Sequence, residues 1–176
     1  MPQFQITQKF ADVIHLQKLA EPIENLQLLD DWFIDVFYLR NNEPVAIIVH
    51  AITRFTFFIP FAEVKSPEDI IVYFGILLKE IFVDAEMPDY IEQVNSIFKS
   101  PLIFCNAKNT DVLNHIHDFI KHTLSFCEAK NAAESVDWNE VAAHINSMPI
   151  SIQSRSMSSP AKLMSDFLNV EQLPIV

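Results

Sequence analysis

The hydrophobic positions in the first third of the chain follow the two-residue alternation of β-strands. Phe4 and Ile6 alternate with polar neighbours, which predicts a short, half-buried strand. Three further strands are predicted at residues 32–39, 45–52 and 53–60, where β-branched and aromatic residues are frequent. Their short connections indicate an antiparallel meander. Because both faces of these strands are largely apolar, we expect helices to cover much of the sheet, and any exposed remainder to mark an interface.

Longer apolar segments predict helices around this sheet. Residues 11–20 have weak helical potential, whereas Ser66-Pro67-Glu68-Asp69 has the capping serine, the proline and the acids of a helix start. The helix from there to about Ala85 is apolar on nearly every side, which predicts a buried central helix rather than a membrane span. Pro88 ends that helix and begins another, which carries an amphipathic stripe.

The second half of the chain predicts one more strand and three helices. The strand covers residues 102–105, and the helices cover residues 110–128, 137–147 and 160–169. Residues 151–159 hold five serines and predict an irregular loop, and residues 170–176 predict a C-terminal tail. We therefore expect an α+β fold over residues 1–176, a single domain whose mainly antiparallel sheet has about four to five strands covered by helices.

Composition and charge exclude several classes of protein. The 176 residues include one glycine, Gly75, so glycine-rich phosphate loops and dinucleotide-binding turns are excluded. A formal net charge of -11 disfavours nucleic acids and anionic membranes as partners. The first residues lack the pattern of a signal peptide, and Cys105 and Cys127 are too few for a disulfide framework. We therefore expect a cytoplasmic protein without a cofactor.

The candidate catalytic residues are Asp35, Arg54 and His50, which occur on neighbouring predicted strands. Asp35 interrupts an otherwise apolar strand, so its carboxylate requires a partner or an exposed position. Arg54 and His50 are possible partners, and a pocket beside Trp32 would follow from such a pair. The alternative, which we favour, is that strand alternation points Asp35 to solvent at the rim of the sheet.

The candidate metal ligands are His115, Asp118 and His122, which lie within about 60° of one another on a predicted helix. Imidazole and carboxylate ligands suit zinc or iron. The apolar face of this helix lies on the opposite side, so a solvated polar edge is the favoured interpretation and no bound metal is predicted.

Two weaker candidates are the thiols and the serine-rich loop. Cys105 with a histidine is a conceivable nucleophile pair, but ordinary core packing is favoured. The loop at residues 151–159, with Arg155, is a candidate lid or anion contact, although such a composition is typical of a solvated connection.

Several short motifs occur in one order along the chain: Trp32 at a strand start, Thr53-Arg54-Phe55-Thr56-Phe57, Val112-Leu113 with Asp118, and Asn146-x-x-Pro149-Ile150-Ser151 before Pro160. Together they resemble an uncharacterised bacterial family of about this length, known only as a domain of unknown function. The resemblance implies a fold and a cellular context but no activity. The family tends to have Gly-Ser-Met-Asn-Asp where residues 114–118 stand here, so the histidines are particular to this chain. The simplest shared role for Asn146 and Pro149 is to shape the turn after a helix.

Two functions from different classes follow. The first is a small non-catalytic interaction module, whose partner is a second copy of itself or another protein. The second is a small enzyme or ligand-binding protein with a pocket near Trp32, Asp35, His50 and Arg54. The missing catalytic constellation and the apolar strand faces favour the first.

Overall fold

A computed structural model describes residues 3–23, 29–64, 66–84, 86–99, 102–130, 136–152 and 156–168. Within them, five strands and six α-helices form the α+β fold that the pattern predicts. The strands are β1 (Gln3–Ile6), β2 (Asp31–Tyr38), β3 (Pro44–His50), β4 (Thr56–Pro60) and β5 (Ile103–Asn106). The helices are α1 (Gln8–Val13), α2 (Pro67–Asp84), α3 (Pro88–Lys99), α4 (Thr110–Ala129), α5 (Trp138–Ser147) and α6 (Pro160–Leu168).

The sheet has the order β4-β3-β2-β1-β5 and is mixed rather than mainly antiparallel. β2, β3 and β4 form the predicted antiparallel meander, with Trp32 opposite His50 and Ile48 opposite Phe57. β1 pairs in parallel with both β2 and β5. Parallel neighbours need long connections, and the segments that lead from β1 to β2 and from β4 to β5 are long enough to return the chain. Local pattern does not reveal such pairings.

Alternation along the strands divides the core into two layers. On one face, Phe4, Trp32 and Ile48 pack with buried residues of α1, α2, α3 and α6. On the other face, Phe33 and Ile47 pack with buried residues of α4 and α5. A sheet with apolar residues on both faces needs helices on both faces, as the strand composition predicted.

Two predicted elements are shorter than expected. α1 begins earlier than residue 11 because the Thr7 side chain accepts a hydrogen bond from Phe10 N, and the chain leaves the helix before His15, which has φ 56°. The predicted strand at residues 53–60 begins only at Thr56. The preceding residues turn tightly, with Arg54 at φ 63° and its N–H donated to His50 O.

The prediction of a buried central helix is only partly correct for α2, because one of its sides is exposed. Three of its apolar side chains face solvent: Val72 is 57% exposed, Ile76 46% and Val83 58%. None of the helices in the described ranges combines the length and apolarity needed to cross a membrane.

The predicted helix starts in the second half are confirmed. Asn109 caps α4 by accepting hydrogen bonds from the main chain of Asp111 and Val112. Asp137 caps α5 in the same way, through Asn139 N and Glu140 N. Short polar side chains accept hydrogen bonds from the first free N–H groups of a helix, so these helix starts can be predicted from the sequence.

Candidate functional site

The predicted pocket residues Trp32 and His50 lie together, but inside the core. They are register partners on adjacent strands, and their ring centroids are 4.8 Å apart. His50 is 1% exposed, and its Nδ1 lies 2.9 Å from Thr53 Oγ1. Its ring also contacts that of Phe167 on α6, with the two ring centroids 5.3 Å apart. These contacts bury the imidazole between the sheet and α6.

Asp35 lies on the opposite face of the sheet and is only 5% exposed, so the expectation that it points to solvent at the rim is wrong. Its carboxylate accepts a hydrogen bond from Thr7 Oγ1 at 2.5 Å and one from Val36 N at 2.8 Å. Within the described residues, neither Arg54 nor His50 is its hydrogen-bond partner. The carboxylate therefore ties β2 to the end of β1.

Arg54 pairs instead with Asp111, in the first turn of α4. Its Nη2 lies 2.5 Å from Asp111 Oδ2, and its Nη1 donates to Ala51 O in the same turn. The side chain is 2% exposed, and burial lowers its pKa, an effect that the bond to Asp111 partly offsets. Among the described residues, Nε finds no hydrogen-bond partner. The guanidinium joins the β3–β4 turn to α4.

The predicted metal ligands do not converge. His115 approaches two carbonyl oxygens, with Nδ1 2.8 Å from Asp111 O and Nε2 3.2 Å from Ser151 O. Asp118 is exposed and bonds to Lys121 Nζ at 3.0 Å, which lowers the pKa of the carboxyl. His122 is exposed on the same helix. Across the described ranges, no three or more His, Cys, Asp or Glu side chains are grouped to hold a metal ion.

The two cysteines are free thiols in different settings. Cys105 is fully buried in β5, with Sγ 3.6 Å from Gln3 Oε1. Burial, followed by the charge of Asp31, raises the pKa of this thiol to about 11. Cys127 is half-buried, and burial raises its pKa as well. Neither setting favours a reactive thiolate. Arg155 of the serine-rich loop lies outside the described residues.

Asn146 has a larger role than shaping a turn. Its side chain pairs with the main chain of Thr56 on β4, where Oδ1 accepts from Thr56 N at 2.8 Å and Nδ2 donates to Thr56 O at 2.9 Å. Asn146 is 2% exposed and Thr56 is fully buried. The side-chain amide thus makes the two hydrogen bonds that a neighbouring strand would make with Thr56 at the outer edge of β4. The sequence contains a signal of this role, because Asn146 is a polar residue on the apolar face of α5, one turn after Ala142.

The outer side of α2 presents an exposed apolar surface that the pattern analysis missed. We define the α2 seam as Val72, Ile76, Lys79 and Val83, which are spaced by four, three and four residues. A groove of about 330 Å³ runs beside it. The groove is lined by Ile71, Val72, Gly75, Ile76, Lys79, Phe98, Leu102 and Phe104, none of which belongs to the predicted pocket.

Gly75 allows the ring of Phe98 to pack closely against α2 at this groove. An added Cβ at this position would lie 3.0 Å from Cε2 and Cζ of Phe98, so the absence of a side chain lets α3 approach α2 closely. Lys79 is the charged residue of the lining, and within the described residues it has no acidic side chain in ion-pair distance. The surface is therefore apolar with one cation.

Comparison with known proteins gives a family and no activity. No curated protein and no solved structure matches the chain. The model of one family, described as Domain of unknown function (DUF6933), matches residues 3–163. The match spans all five of the described strands and ends in the first half of α6, and it includes the motifs at Arg54 and Asn146. The chain therefore belongs to the DUF6933 family.

Proposed function

We propose that this protein is a non-catalytic module that works through contact with another protein chain, and that the α2 seam and its groove are the contact surface. The observation that carries the proposal is the row of three apolar side chains, each 46–58% exposed, along one side of a helix. Isolated exposed apolar residues are normal, whereas a contiguous apolar patch beside a groove is typical of an interaction site.

The energetics set the size of the contact that this role requires. Complete burial of a Val or Ile side chain is worth about 1.5–3 kcal/mol, so covering the exposed half of each apolar seam residue contributes about 1 kcal/mol. Three such residues contribute about 3 kcal/mol, whereas bringing two chains together costs about 4–15 kcal/mol. The contact therefore also has to cover the apolar lining of the groove.

The polar residues give less support to the enzyme hypothesis. His50 and Asp35 lie on opposite faces of the sheet, and both are buried. The Arg54 guanidinium is engaged by Asp111 and by the main chain. The side chains considered for catalysis are thus separated and occupied. Free thiols at Cys105 and Cys127 agree with a reducing compartment, so we expect this contact to occur in the cytoplasm.

Site-specific photocrosslinking tests the proposal without assuming a partner. A photoreactive amino acid replaces Ile76 in the seam, or Ile52 as a matched control, in cells that express the chain. Ile52 is 56% exposed but lies in the β3–β4 turn. We expect irradiation to join position 76, and not position 52, to one protein of defined mass. Equal labelling at the two positions, or none at position 76, contradicts the proposal.

A further inference from the structure

The sequence of β4 is typical of strands that add to other strands. β4 lies at one edge of the sheet, where β3 is its neighbour on one side. Residues 55–59, Phe-Thr-Phe-Phe-Ile, are aromatic or β-branched and include no charge, glycine or proline. Uncharged windows of this kind form intermolecular sheets when their edge is free. A stable monomer therefore has to close this edge.

Alternate residues of β4 turn their main-chain N–H and C=O away from β3. Thr56 is one of them, because its N–H and C=O both bond to the Asn146 side chain. Phe58, two residues later, faces the same way. Pro60 follows on the same side and has no N–H to donate. Asn146 therefore occupies the donor at one end of this outer edge, and a proline removes the donor at the other end.

Two helices narrow the space outside this edge. The cleft there is about 20 Å³, and its lining includes Leu77 of α2 and Trp138 of α5. A space of that size holds about one water molecule and not a strand. A further strand can reach β4 only when α5 moves away. The Asn146–Thr56 hydrogen bonds oppose that movement, because they join the end of α5 to β4.

We propose that Asn146 protects the edge of β4 from pairing with the β4 strand of a second copy. Without this protection, two β4 strands fit antiparallel about a two-fold axis at Phe58. Phe58 then exchanges N–H···O=C bonds with its counterpart, and each Thr56 N–H donates to Pro60 O of the other copy. Asn146 prevents this pairing because its Oδ1 already accepts the Thr56 N–H. The protection is independent of the α2 seam.

Aggregation of the purified full-length chain, followed by thioflavin T fluorescence, tests the protection. Asn146→Ala removes both hydrogen bonds. Ile116→Ala is the matched control, because it truncates a fully buried side chain of α4 and leaves the Asn146–Thr56 bonds in place. Urea unfolding measures both stabilities, and the variants are compared at urea concentrations that leave the same fraction folded. We expect an aggregation half-time about ten-fold shorter for Asn146→Ala. Equal half-times would attribute aggregation to lost stability alone and overturn the inference.

Two further measurements locate the contact. Limited proteolysis of the Asn146→Ala aggregate, followed by mass spectrometry, should leave a resistant core that contains residues 55–59. A core without those residues contradicts pairing through β4. Hydrogen exchange of the wild type applies even if Asn146→Ala does not fold. We expect the Thr56 N–H to exchange as slowly as the Phe57 N–H, because Asn146 accepts it. Rapid exchange at Thr56 alone would mean that the edge is open, and the protection would then be refuted.

Discussion

The Asn146–Thr56 pair gives the sharpest prediction about how the fold is held together. Asn146→Ala removes both partners of a fully buried main-chain N–H and C=O on β4. Leaving one such group unsatisfied costs about 1–3 kcal/mol. The adjoining cleft, about 20 Å³ and lined by both residues, gives water a route to the freed groups and reduces the cost. We therefore expect a loss of about 2–4 kcal/mol in the free energy of unfolding.

Urea unfolding followed by circular dichroism measures this loss. Asn139→Ala is the matched control, because Asn139 lies on the same helix, is exposed, and donates only its main-chain N–H to the Asp137 cap. We expect the control to stay within about 0.5 kcal/mol of the wild type. An Asn146→Ala variant within 1 kcal/mol of the wild type would refute the view that this amide completes the edge of β4.

A second substitution at the same position tests the direction of each hydrogen bond. In Asn146→Asp, the ionised carboxylate still accepts from Thr56 N but faces Thr56 O without a proton to donate. We expect this variant to be less stable than Asn146→Ala at pH 7. Burial beside a carbonyl raises the pKa of the introduced carboxyl in the folded state, so lowering the pH toward 4 protonates it and recovers stability. A pH-independent difference from the wild type contradicts this assignment.

Further predictions concern three other residues. Arg54→Gly and Arg54→Ala both remove the guanidinium, but glycine tolerates φ 63°, so we expect the glycine variant to be about 1 kcal/mol more stable in urea unfolding; equal stability contradicts strain at this turn. Cys105, with its pKa raised from 9.0 to about 11, should resist thiol reagents at pH 8 until the chain unfolds. The folded state keeps the Cys105 proton to a higher pH than the unfolded state does. The protonated thiol therefore contributes about 2–3 kcal/mol to the free energy of unfolding below pH 9, and this contribution is lost as the pH rises to about 11. Cys105→Ala should lack this pH dependence. Asp137→Ala should cost about 1 kcal/mol by uncapping α5, and an unchanged unfolding midpoint argues against the cap.

The sequence predicted the features that depend on neighbouring residues. The meander from β2 to β4 follows from strand composition and short turns, and the starts of α4 and α5 follow from Asn109 and Asp137. These signals are local, because the residues that form each contact are close in the chain.

The parts that sequence did not predict depend on distant contacts. The parallel pairing of β1 with β2 and β5 joins segments far apart in the chain. The partner of Arg54 is Asp111, 57 residues later, and the partner of Asn146 is Thr56, 90 residues earlier. The exposure of the α2 seam depends on where α3 and β5 end, since an apolar pattern on all sides of a helix does not identify the side left uncovered.

The central claim is that the α2 seam is a contact surface for another protein chain, and photocrosslinking in cells tests it most directly. We expect a photoreactive amino acid at position 76 to join the chain to one protein of defined mass. The same amino acid at position 52, a similarly exposed site in the β3–β4 turn, should join it to none. Equal labelling at the two positions, or no labelling at position 76, contradicts the account.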